Sequence, residues 1–196
     1  MQNKRAILLI CILLLGIPAI AQQDYQQFYS ESLRNMNTGM YVLGSWAILN
    51  MTTGIYGMTT REGSSKYFYQ MNLFWNTVNL GIAGFALYNN LISDASLLSD
   101  QQVLDKHFKS EKLFLINAGL DVFYMAGGAF MVHKSKSSVK RPELLKGYGN
   151  SIILQGGFLL VFDAAMYFIQ HAHSNQFLEN LQISLAPQAI QLTFRF

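Results

Sequence analysis

The sequence predicts an all-α protein: a four-transmembrane-helix bundle, N-out/C-out after signal peptide removal, with a short C-terminal extended segment. Three observations predict it. Of the 196 residues, 51% are hydrophobic and only 13% are charged, where a soluble domain carries about 25% charged residues. Four runs long enough to cross a bilayer, at roughly 20 residues each, occupy 38–59, 67–88, 113–132 and 148–169. The Lys and Arg residues crowd into the two short connections expected on one side of the membrane.

The first 21 residues read as a secretory signal peptide. Lys4 and Arg5 form its charged start, Ala6 to Ile17 its apolar core, and Ala19-Ile20-Ala21 a small-x-small cleavage site. An uncleaved membrane helix is the alternative. Cys11, the one cysteine, lies inside this segment. A cleaved chain therefore has no disulfide, thiolate metal site or cysteine nucleophile.

Residues 22–37 are polar, with Tyr25, Phe28, Tyr29 and Leu33 at roughly helical spacing. They predict an exported lead-in lying amphipathically on the membrane surface, or else a disordered tail. The first span, 38–59, carries Gly44, Gly54 and Gly57, which would let neighbouring backbones come close. It also holds Asn50, Thr52 and Thr53. The second, 67–88, places Asn72, Asn76 and Asn79 at i, i+4 and i+7, one helical stripe. Its neighbours are Leu, Phe, Trp and Val, so the stripe should face other helices. Residues 89–112 predict a polar connection with a short surface helix of its own, capped by Ser99 or Asp100.

The third span, 113–132, holds Asn117 and, one turn on, Asp121. A basic loop follows. The fourth, 148–169, holds Gln155 and a second aspartate, Asp163. Residues 171–196 predict an exported tail. In it Ile190, Leu192, Phe194 and Phe196 alternate with polar residues at a strand period. An ending in Phe196 resembles the last strand of outer-membrane barrels, but the rest of the chain lacks barrel strands.

Cleavage would put the new N-terminus outside. Loops 60–66 and 133–147 then lie inside and carry Arg61, Lys66, Lys134, Lys136, Lys140, Arg141 and Lys146. The longer outer segments carry only Arg34, Lys106, Lys109, Lys112 and Arg195. This matches the positive-inside rule and predicts a multi-pass protein of a bacterial inner membrane. The outer membrane is the alternative suggested by the terminal aromatic.

By this topology Asn50, Asn76, Asn79, Asn117, Asp121, Gln155 and Asp163 fall near one depth, slightly outward of the midplane. No Lys or Arg lies in any span. Three readings compete. The aspartates bind a proton, cation or small polar solute, as intramembrane carboxyls often do. They are protonated or amide-bonded and only specify helix packing, as in a membrane accessory subunit. Or the bundle holds a quinone-type cofactor between Trp46, Trp75 and tyrosines. His107, His171 and His173 could share the outer face and hold a metal, with solvated polar histidines the preferred reading.

No hydrolase, zinc-protease, phosphate-loop or nucleotide signature is present, so the chain does not read as an enzyme. The net charge of +3 is spread out, which argues against a nucleic-acid partner. The lipid bilayer is the expected partner, together with a homodimeric copy or another membrane protein. Asn117-Ala-Gly-Leu-Asp121-Val-Phe-Tyr124 and Gln155-Gly-Gly-Phe-Leu-Leu-Val-Phe-Asp163 resemble uncharacterised small bacterial membrane proteins with a signal peptide and four helices. That resemblance implies the fold and no activity.

Overall fold

Four helices account for nearly all of the chain in this computed structural model. They are α1 (Gln2–Thr60), α2 (Gly63–Leu91), α3 (Asp100–Ser135) and α4 (Pro142–Thr193), with a 3-10 turn at Ala95–Leu97. The structure describes the backbone of residues 2–193 and the side chains of residues 25–181. Each predicted span lies inside one helix. No strand is found among the described residues.

Local chemistry sets the helix ends. After Thr60 the chain reverses through Arg61 and Glu62 into Gly63, whose φ of 59° is the left-handed conformation that glycine adopts without cost. Beyond α2, the Asp94 carboxylate accepts from Ser96 N at 2.9 Å and tightens the 3-10 turn. Ser99 caps α3 in a reciprocal box: its hydroxyl accepts from Gln102 N, and the Gln102 side chain accepts from Ser99 N at 3.0 Å. Pro142 opens α4 at its first helical position, where a missing N–H costs nothing.

Four expectations need correction. The connection 89–112 carries no separate surface helix. Once the Ser99 box nucleates α3, polar helix-forming residues extend it without a break into the third span. Residues 25–37 are neither a disordered tail nor a surface helix. They continue α1, and Phe28, Tyr29 and Ser32 are buried against α3 and α4. The predicted extended segment at the C-terminus is helical through Thr193. Four alternating residues do not outweigh the elongation of a helix already formed. Phe194 and Phe196 lie outside the described residues, as do the side chains of the signal segment. Finally, Gly44 meets only ordinary contact with Ala83, whereas Gly54 and Gly57 press on Leu73 and Tyr69 of α2.

The helices pair as α1 with α2 and α3 with α4, and α4 also packs along α2. α2 and α3 stand apart, with Trp75 meeting Tyr124 edge to face at 5.1 Å. α3 and α4 cross closely through a pair of glycines. A Cβ placed on Gly128 would stand 2.7 Å from the Gly149 carbonyl oxygen, and one on Gly149 2.6 Å from that of Gly128.

Polarity is inverted over the length of the spans. Asn50, Asn72, Asn76, Asn79, Asp121, Ser151, Gln155 and Asp163 are buried. Tyr41, Leu49, Phe74, Phe85, Phe123, Phe130, Val161 and Phe168 are exposed. A helix as long as α3, about 54 Å at 1.5 Å per residue, outruns a hydrocarbon core of about 30 Å. The N-terminal part of α3 packs with α1 and α4 in an extension centred on Phe28, Tyr29 and Val103, at the end of the bundle that the expected topology places outside. Among the described residues two helices, α3 and α4, are long and apolar enough to cross a membrane.

Candidate functional site

The polar groups expected at one depth form two assemblies joined by the α2 stripe. The first is an amide layer around Gln155, which is fully buried. Its Oε1 accepts from Trp46 Nε1 at 2.9 Å. Its Nε2 donates to Asn50 Oδ1 at 3.2 Å and to Asn72 Oδ1 at 3.0 Å. Ser151, one turn earlier on α4, donates to Asn72 Oδ1 at 2.6 Å. Asn50 Nδ2 returns to the Trp46 carbonyl and Asn76 Nδ2 to the Asn72 carbonyl, each at 2.9 Å. One side chain thus ties α1, α2 and α4 together. Trp46 also stacks on Phe158 with centroids 4.0 Å apart. It therefore takes part in the amide layer.

The stripe then climbs α2. Asn79 Nδ2 donates weakly to Asn76 Oδ1 at 3.4 Å and lines the second assembly. This is a cavity of about 390 Å³ between α2 and α3, with α1 and α4 as its floor. Asn79, Asn117, Asp121 and Asp163 supply its polar groups, and Phe74, Trp75, Val78, Ile82, Phe114 and Phe162 much of its apolar wall. Asp121 is 3% exposed and Asp163 5%. The two carboxyls are within hydrogen-bonding reach of each other, and Asn117 reaches Asp163. Asp121 Oδ2 is buried and accepts no hydrogen bond from any N–H or hydroxyl. Two carboxyl oxygens in such contact are joined by a shared proton or by a donor brought from outside.

Met40, Leu43, Phe114, Phe162 and Met166 form an apolar cluster beside this assembly. A third polar network lies in the outer extension, beyond the spans. His107, expected to be solvated, is 1% exposed. Its Nε2–H donates to the Gln170 carbonyl at 3.1 Å, which leaves Nδ1 to accept from Ser32 Oγ at 2.8 Å. Gln170 Nε2 donates back to Ser32 Oγ at 3.3 Å. His171 Nδ1 donates to Glu111 Oε1 at 2.7 Å, and Ser174 Oγ donates to the other carboxylate oxygen at 3.3 Å. His173 Nε2 donates to the Phe28 carbonyl at 3.0 Å while its ring stacks on Phe28. The three histidines thus make separate hydrogen bonds, although Glu111 Oε2 also lies 3.9 Å from His107 Nε2. Among the described residues no group of His, Cys, Asp or Glu is arranged to hold a metal.

Sequence reasoning passed over Ser32, Glu111, Gln170 and Ser174 in this network. The signal was present as spacing: His107 and Glu111, and Gln170 and Ser174, each stand four residues apart on one helix face.

Burial holds the His107 imidazole below the usual histidine pKa, against the opposing pull of its bond to the Gln170 carbonyl. His173 nearby disfavours the charge and Glu111 favours it. The unfolded chain, with histidine near 6.5, therefore binds a proton more readily than the folded one. His107 contributes stability that is fully present above about pH 6.5 and is lost as pH falls below it. The melting temperature is expected to drop between pH 7.5 and 5.5, with a shallower drop in His107→Asn. Equal slopes would show that other groups carry the dependence.

A model of a family of unknown function, DUF6992, matches residues 42–164. No curated protein and no solved structure matches the chain. The matched stretch takes in the whole amide layer and both aspartates, and it leaves out the outer extension of α4.

Proposed function

The chain belongs to the family of unknown function DUF6992, and we propose that its members' shared core is a membrane-embedded site that binds a proton or cation on a carboxyl pair. The observation that carries this reading is the contact between Asp121 and Asp163. Both are buried, and they border an open cavity that among the described residues is lined by no Lys, Arg or His. Buried like charges cannot both persist in a medium of low dielectric constant. The pair is therefore a place where a proton or a positive group is held. Carboxyls at membrane depth commonly mark such pathways.

The amide layer has a different role in this reading. Gln155, Asn50 and Asn72 spend their polar groups on one another, so they specify helix packing. The accessory-subunit reading is thereby confined to this layer.

The setting is a four-span protein of the inner membrane, exported by its leader, with both ends of the mature chain outside. Apolar side chains exposed on all four helices support it, because such a surface is stable only against lipid or a partner. The lipid-facing threonines fit as well. Thr52, Thr53 and Thr77 return their hydroxyls to carbonyls one turn back, at 2.8, 3.0 and 2.8 Å, so none presents an unsatisfied donor to hydrocarbon.

A hydrophobic carbodiimide partitions into lipid and adds to a carboxyl group that carries its proton. Treating membranes with dicyclohexylcarbodiimide is expected to give one adduct per chain, located by mass spectrometry at Asp121 or Asp163. The double variant Asp121→Asn/Asp163→Asn is expected to give none. An unlabelled wild-type chain would remove the basis for a proton-holding pair in the bilayer.

A further inference from the structure

We infer that the Asp121–Asp163 cavity takes a lipophilic primary ammonium ion, entering sideways from the lipid between α2 and α3 in exchange for a proton. This rests on the carboxyl-pair reading above and names the class of ligand.

Four observations lead to it. The volume, about 390 Å³, falls in the range of small-molecule sites, roughly 300–1,000 Å³. It is far more than a bare cation fills. The wall is aromatic and aliphatic, so the body of the occupant is apolar. The polar end of the cavity is acidic, and Tyr124 is the remaining titratable group in its lining. The head of the occupant is therefore positive. Last, Asp121 Oδ2 is buried and lacks a donor, which asks for N–H groups rather than a charge without hydrogens. A neutral fatty alcohol would leave the carboxyls without a counter-charge. A small ammonium ion would leave the apolar wall empty.

The route follows from the packing. α2 and α3 do not pack along each other. Phe74, Val78 and Ile82 border the gap and are each more than half exposed. An amphiphile in the outer leaflet can slide its body between the helices and bring its head to the carboxyls. The exchange balances. The pair with one shared proton carries one negative charge. The proton leaves as the ammonium arrives, two carboxylates face one cation, and the net charge of the site is unchanged.

The test uses the full-length protein in detergent, titrated calorimetrically with dodecylammonium, dodecanol and methylammonium. Repeating the titration in buffers of different ionisation enthalpy counts the protons released. Dodecylammonium is expected to bind at least tenfold tighter than either control and to release one proton per ion bound. Asp121→Asn, checked for retained helix content and elution volume, is expected to lose that preference. Should Asp121→Asn fail to fold, Val78→Trp is used. It narrows the mouth between α2 and α3, and is expected to weaken dodecylammonium at least tenfold while helix content and elution volume are retained; unchanged binding would overturn the sideways route.

Equal binding of dodecanol would overturn the inference by showing that only the apolar body is read. Equal binding of methylammonium would overturn it in favour of a small-cation site, with the carboxyl-pair reading intact. Absence of all binding with carbodiimide labelling retained would end this inference alone. Absence of both would end the two together.

Discussion

Gly128→Leu is expected to destabilise the protein by about 3 kcal/mol or more, while Gly127→Leu beside it is expected to be neutral or slightly stabilising. At Gly128 the first added carbon would stand 2.7 Å from the Gly149 carbonyl oxygen and 2.9 Å from Ile153 Cγ1. Backbone cannot yield as a flexible side chain does, so α3 and α4 must separate. At Gly127 nothing lies within 4 Å of the added carbon. There leucine gains about 1 kcal/mol of helix propensity over glycine. Unfolding in mixed micelles with increasing SDS measures both. Similar losses at the two neighbours would mean that the α3–α4 crossing is not the tight contact described.

Gln155→Leu is expected to cost about 2–3 kcal/mol, the next largest effect. Leucine fills the volume but leaves Trp46 Nε1 without an acceptor and Asn50 Oδ1 without a donor, and takes one of two donors from Asn72 Oδ1. A buried group stranded in this way costs about 1–3 kcal/mol. Compensation by other partners keeps the sum below that of three independent losses. Gln155→Glu is expected to fare no better, since a carboxylate cannot donate to the two carboxamide oxygens it would face. If Gln155→Leu melts with the wild type, the layer contributes no stability and the division of roles between amides and acids fails. The same SDS titration reads all these variants.

The helical interior was legible because its polar residues carry a period. Asn72, Asn76 and Asn79 announce one face of α2, and that face is buried. Gln155 and Asp163 were visible as interruptions of an apolar run. Which groups pair was not legible, because pairing depends on the rotation of each helix, and no local spacing encodes rotation. Hence a layer expected as one cluster divides into a saturated amide assembly and an unsaturated acid cavity.

The outer extension was misread for a related reason. The segment Ser99 to Lys112 is polar on average, and averages hide the fact that Val103, His107 and Glu111 share a face. Its capping box was readable, but how far the helix ran beyond it was not. The close contact of Gly128 with Gly149 likewise emerges only when both helices are seen together, since neither glycine differs locally from Gly127.

α3 runs without a break from the buried network at His107 to Asp121, fourteen residues further on and about 21 Å away. It is therefore a stiff rod shared by two polar networks. Pivoting it by about 5° at the His107 end displaces the Asp121 end by about 2 Å, which is enough to pull apart a pair of carboxyls in contact. Anything that grips the rod at its His107 end has mechanical leverage on a carboxyl buried about four turns away.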